Sequence, residues 1–303
     1  MSCFRCLNRP QKDIRMSHKR KIPELKNHDV GGTVLPYLYY EGEAPQILFA
    51  HATGFLPWLW HPIIEELTPH KEAWAPYICN YRDCEPERGL GWDIIARDLI
   101  SFCSSQNIRD NLAVGHSMGA TVIMIASALF GLQPRGMILI EPIFLPEEFY
   151  EIDIQLKDHP LASQSIKRKN SWKDEEAALD YLRSKSLFAG WDEQMLQFYL
   201  KYGMEKQAEG DLKLTCAPRN EAALFMGGKS TNPWPLLKNL TCPVLIVEGE
   251  KSANKTFIDL PKAVSLLACG SYLSVADAGH LIPMQKPKEI AAIIKDFMQD
   301  VFK

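Results

Sequence analysis

The sequence predicts an α/β protein, a mostly parallel sheet with helices on both faces, interrupted by an inserted helical cap. Short apolar runs alternate with helix-period segments from about residue 33 to 141, and the alternation resumes at about 243. Between 145 and 239 it stops and helical stretches take over. Each run is followed by a turn or helix start, not by a two-residue hairpin, as parallel strands with crossover connections require. The expected division is a basic tail over residues 1–22, a core over 23–144 and 240–303, and a cap over 145–239.

The tail carries Arg5, Arg9, Lys12, Arg15, Lys19, Arg20 and Lys21 but lacks the apolar run of a secretory signal, so it is expected to be disordered. A transit peptide, a tail palmitoylated at Cys3 and Cys6, and a tail whose true start is Met16 are all compatible with it. Residues 35–40 read as an antiparallel edge strand. The clearest strands are 47–51, 75–81, 111–115, 137–141 and 243–248, with 272–275 a weaker candidate. Helix Met118–Phe130 is apolar nearly all round (Ala120, Val122, Ile123, Ile125, Ala126), which suits burial between the sheet and other helices. The last helix starts at Pro287 and places Ile290, Ile293, Ile294, Phe297 and Val301 on one stripe. In the cap, one helix is expected over 172–182 behind Ser171 and Asp174, and another over 191–202, closed by Gly203. The second puts Met195, Phe198, Tyr199 and Tyr202 on one face, a stripe that more often packs on a core than lines a pocket.

Composition narrows the function classes. A chain of 303 residues, 46% hydrophobic and 23% charged, can bury a large core. Its net charge of −3 provides no cationic field for nucleic acid, and a small-molecule substrate is the expected partner. No run reaches the roughly 18 apolar residues of a transmembrane helix. Eight cysteines spread through the chain fit a reducing, cytoplasmic setting. Cys3 and Cys6 form a C-x-x-C with no second pair at zinc-site spacing, so no metal or cofactor is expected. Oligomeric state stays open.

Gly115-His116-Ser117-Met118-Gly119 joins an apolar strand to an apolar helix, and G-x-S-x-G in that context is a nucleophile elbow. Glycines on either side permit the sharp turn and the close approach of the helix, exposing the serine oxygen at a helix N-terminus. The competing reading is a tight turn with an incidental serine.

From residue 31 to 303 the chain resembles a capped α/β-hydrolase of the esterase/lipase-like branch, and His51-Ala52-Thr53-Gly54-Phe55 resembles the H-A-x-G-F turn of one group of members. The resemblance implies that the backbones of Thr53 and Met118 supply the two oxyanion N–H groups, with His51 tethering the loop and His116 turned away from Ser117. It also implies His280 as the base, because Gly279-His280 and the prolines at 283 and 287 match the family's G-H-x-x-P-x-x-x-P segment. Many members carry the acid in G-x-x-D after the penultimate strand, where this chain has Ser252. Glu141-Pro142 resembles the D-P that ends the preceding strand in pancreatic-type lipases, which makes Glu141 the leading acid, Glu250 the second and Glu248 the third. Pro142 favours an extended backbone at Glu141. The loop at Cys79–Cys84 keeps Arg82 but loses the family's glycines, so a differently shaped loop is expected beside the pocket. A serine hydrolase acting on a small to medium, moderately hydrophobic carboxylic ester through an acyl-enzyme is the expected function. C–C bond or amide hydrolysis on the same triad, and a silent binding protein on the same fold, are the alternatives.

Overall fold

The computed structural model describes residues 20–79 and 81–303. The tail through residue 19, with Cys3 and Cys6, lies outside the described residues.

Eight strands form one sheet, β1 (Lys26–Asp29), β2 (Val34–Tyr40), β3 (Glu43–Ala50), β4 (Lys71–Pro76), β5 (Leu112–His116), β6 (Gly136–Ile140), β9 (Val244–Gly249) and β10 (Gly270–Val275), in the order β1-β2-β4-β3-β5-β6-β9-β10. All pairs from β4 to β10 are parallel, while β2 pairs antiparallel with both β1 and β4. Residues 35–40 are therefore antiparallel, as expected, but they are not the edge. β1, read from Lys26, Asn27, His28 and Asp29, covers them and has no apolar residue to announce itself. The strand expected over 75–81 also lies earlier: Glu72 ties in its start by accepting from Gln46 and from Trp74 Nε1. Pro76 has no N–H for the ladder, and the chain leaves the sheet there.

The central strands are apolar on successive positions because both of their faces are covered. β5 and β6 are buried at every position. Helices α2 (Trp92–Ser105) and α3 (Met118–Phe130) pack together on one face, and α1 (His61–Glu66) packs with α10 (Pro287–Val301) on the other. The first nine residues of α3 are buried, and Gly131 ends it in the left-handed region at φ +83°. Of the stripe read from its 3.6-residue period, α10 buries Ile290 and Ile294 and packs Ile293 and Phe297, partly buried, against the core; Pro287 and Ala291 are buried with them.

Between β6 and β9 the chain forms α4 (Ala162–Ser165), α5 (Glu175–Arg183), α6 (Glu193–Tyr202) and α7 (Pro218–Met226), together with a small antiparallel pair, β7 (Met204–Lys206) and β8 (Leu212–Leu214). α8 (Leu260–Ser265) and α9 (Ile282–Gln285) follow β9 and precede α10. The segment is thus not wholly helical. α5 begins three residues later than its sequence pattern, at the Asp174 N-cap, because Trp172 is drawn into a bridge with Leu212 and Ser171 donates to Asp211. α6 starts behind Asp192, whose carboxylate caps Gln194. Its aromatic face packs: Tyr199 meets Phe55, Phe198 stacks on His61, and Tyr202 lies parallel to Trp58 at 5.0 Å.

His61 is enclosed by that contact and by Tyr40, whose hydroxyl is 3.2 Å from Nδ1. Burial, and then the Arg20 charge, push its imidazole down to about 4. The unfolded chain, with an ordinary histidine near 6.5, takes up a proton that the folded chain refuses, so stability is lost as pH falls from about 6.5 to about 4. His61→Gln should flatten that part of the profile when urea midpoints are measured from pH 7 to pH 4. An unchanged slope would place the titration elsewhere.

Candidate active site

Three strand ends at the C-terminal edge of the sheet build the site. β5 runs into Ser117, which sits at φ +53° and ψ −119°, a conformation an L-residue adopts only under constraint. The Ser117 N–H donates to Ile140 O at 2.9 Å, and its carbonyl accepts from Ala120 and Thr121. The turn closes because its glycines let the backbone in. A Cβ on Gly119 would lie 2.3 Å from Ala50 O, and one on Gly115 would lie 2.4 Å from Ala120 Cα.

β6 ends beside it in Glu141, which is 1% exposed and, contrary to the extended backbone expected before Pro142, has φ +50°. Its N–H donates to Val247 O at 2.8 Å, so the backbone turns out of the strand while still tied to β9. Gly249 N–H donates to Oε1 at 2.7 Å, and Ser252 Oγ–H donates to Oε2 at 2.8 Å. A buried carboxylate is costly unless such donors replace water, and here the backbone and side chain of one loop supply them.

The third end is the loop after β10, where Asp277 also has a positive φ, +55°. It presents His280 with Nδ1 2.9 Å from Glu141 Oε2 and Nε2 3.1 Å from Ser117 Oγ. A proton on Nδ1 is directed at the carboxylate, which leaves Nε2 to accept from the serine hydroxyl. The Asn254 amide also lies 2.9 Å from Nδ1 and can donate to it only in the tautomer protonated on Nε2.

The remaining candidates fall elsewhere. Glu250 is exposed and accepts from Asp277 N–H. Glu248 is buried but accepts from the Tyr272 hydroxyl and lies 3.6 Å from Lys255 Nζ, beside an open cavity of about 480 Å³ that neither Ser117 nor His280 lines. His116, expected to turn away from Ser117, turns towards the other partner: its Nε2–H donates to His280 O at 2.9 Å. Burial and the neighbouring His280 push it down to about 3, so it is a neutral brace for the His280 loop. That role and those of Ser252 and Asn254 had no signal in the sequence beyond Ser252 occupying the family's acid position.

Thr53 and Met118 are both buried, and neither N–H donates to another group among the described residues. His51 Nε2 accepts from Ile78 N–H at 3.0 Å while Nδ1–H donates to Ala52 O at 2.9 Å, so the side chain ties the turn to the segment after β4. Arg82 forms a two-pronged pair with Asp98 at 2.6 and 2.8 Å, an anchor for the loop that lost the glycines. Phe55, Leu59, Trp60, Pro283 and Met284 line a small apolar recess with His51 and His116.

A model of the alpha/beta hydrolase family matches residues 47–293. The chain is 27% identical over 227 residues to abhydrolase domain-containing protein AFT2-1 of Alternaria alternata, a match covering 62% of this chain and 82% of that protein. Among solved structures, E-2-(acetamidomethylene)succinate hydrolase superposes with a TM-score of 0.77 at 19% identity, covering 91% of this chain and 99% of the other. A thermophilic esterase from Thermogutta terrifontis superposes with a TM-score of 0.67 at 17% identity, covering 93% and 100%.

Gly119→Ala tests the packing under the turn. With a Cβ forced against two carbonyl oxygens of the neighbouring segment, the variant should lose about 1–3 kcal/mol of stability in urea denaturation, and wild-type stability would show that α3 can retreat from β3.

Proposed function

The chain belongs to the alpha/beta hydrolase family, and on that footing we propose that it is a serine hydrolase cleaving a small to medium, moderately hydrophobic carboxylic ester through an acyl-enzyme. The observation that supports this reading is the unbroken relay from Ser117 Oγ through His280 to Glu141 Oε2, at 3.1 and 2.9 Å. His280 takes the Ser117 proton through Nε2 as Oγ attacks the ester carbonyl. Glu141 holds the ring and balances the imidazolium that forms.

The tetrahedral oxygen is received by the N–H groups of Thr53 and Met118, the second of which opens α3 and so adds the positive end of its dipole. Each such donor is worth about 3 kcal/mol. The imidazolium then protonates the leaving alcohol, and a water activated by the same His280 releases the acid.

A fluorophosphonate should label the wild-type protein and leave Ser117→Ala unlabelled. In ester hydrolysis, Ser117→Ala and His280→Ala should each lower kcat by several powers of ten, and the double variant should lose little more, because the two act as one unit. Additive losses would speak against the relay. Glu141→Gln should cost about three to four powers of ten at neutral pH, and Glu250→Gln far less. The reverse ranking would move the acid to the later loop.

A further inference from the structure

Beneath the 52–54 turn lies a thiol that the mechanism does not use. Cys79 is 2% exposed and follows Ile78, whose N–H already binds His51. Its Sγ accepts from Gly54 N–H at 3.2 Å, donates to Ala52 O at 3.6 Å and lies 3.8 Å from His51 Nδ1. The thiol thus engages the residue on each side of Thr53. On the other side of the turn, the space a Cβ of Gly54 would fill is taken by Glu221 Oε1, 2.2 Å from that position. Arg168 pairs with Glu221 at 2.7 Å, so the carboxylate beside the turn does not stand as an uncompensated negative charge. Gly54 itself has φ +76°, the left-handed region that favours glycine.

We propose that Cys79 is a positioning residue: its thiol grips Ala52 and Gly54 and thereby aims the Thr53 N–H at the oxyanion. The proposal rests on the serine-hydrolase reading above. Burial raises the Cys79 pKa, but the neighbouring Cys216 thiol, the His51 imidazole and the Gly54 N–H together bring it below its ordinary value. The alternative is that Cys79 merely fills space as a small apolar side chain. Serine separates the two ideas. It keeps one acceptor and one donor at that position, whereas valine keeps the volume and offers neither.

The experiment compares the full chain with Cys79→Ser, Cys79→Ala and Cys79→Val, measuring kcat and KM on p-nitrophenyl butyrate and Ki for an aryl trifluoromethyl ketone, which forms an anionic adduct at the serine. Cys79→Ala and Cys79→Val should lower kcat about 10- to 100-fold with KM within about twofold, and should raise Ki by a similar factor. Cys79→Ser should recover kcat and Ki to within about fivefold of wild type. Equal losses in the serine and valine variants, or wild-type kcat and Ki in the valine variant, would overturn the proposal. Where the alanine variant melts below the assay temperature, the serine and valine pair decides. A wild-type chain with no Ser117-dependent hydrolysis and no ketone inhibition fails the underlying reading instead, before any cysteine variant is compared.

Discussion

Ser117 is held at φ +53° by a turn with no room for a side chain at either flanking glycine, and the geometry of the whole site follows from that closeness. Because Gly119 lets α3 rest on the carbonyls of Ala50 and His51, the N-terminus of α3 lies against the turn that leaves β3. Two backbone segments far apart in sequence, 52–54 and 117–118, are brought side by side. The strain of such a conformation is about 1–3 kcal/mol. It is offset by the burial of the first nine residues of α3, which is apolar on almost every side and has no other place to go.

Backbone strain recurs where the other two members arrive. Glu141 and Asp277 join Ser117 among the described non-glycine residues with positive φ, and all three lie at the C-terminal edge of the sheet. At each, hydrogen bonds hold the bend: Glu141 to Val247 and the β9 loop, Ser117 to Ile140, and Asp277 to Glu250. Glu250 therefore supports the loop of His280 from outside, while Glu141 meets its ring.

The surroundings close on the same edge. The aromatic face of α6 seats on Phe55, Trp58 and His61, so the segment between β6 and β9 is fastened to the turn that carries Thr53 and to the helix that follows it. Arg168 and Glu221 bring a compensated ion pair to that junction, and Tyr199 lies within 3.4 Å of the same guanidinium. A partly buried pair of this kind is weak support for stability but does fix one arrangement of the parts it joins.

Much of this was legible in the chain before it folded. The alternation of apolar runs and helical periods determined a mostly parallel sheet covered on both faces, since only burial on both sides makes runs such as 112–115 and 136–140 wholly apolar. G-x-S-x-G between strand and helix marked Ser117, and the loop before the last helix marked His280, because each signal is local. The β1 edge, the true start of α5 and the left-handed bend at Glu141 were not legible. β1 pairs with the strand that follows it but has no apolar residue to mark it, whereas the other two depend on partners distant in sequence: Leu212 for Trp172, and Val247, Gly249 and Ser252 for Glu141. The sequence by itself determined the layers and the residue types available for chemistry. Only the tertiary structure decided which carboxylate meets His280, because Glu141, Glu248 and Glu250 all lie near the same sheet edge and differ in the donors the folded loops bring to each.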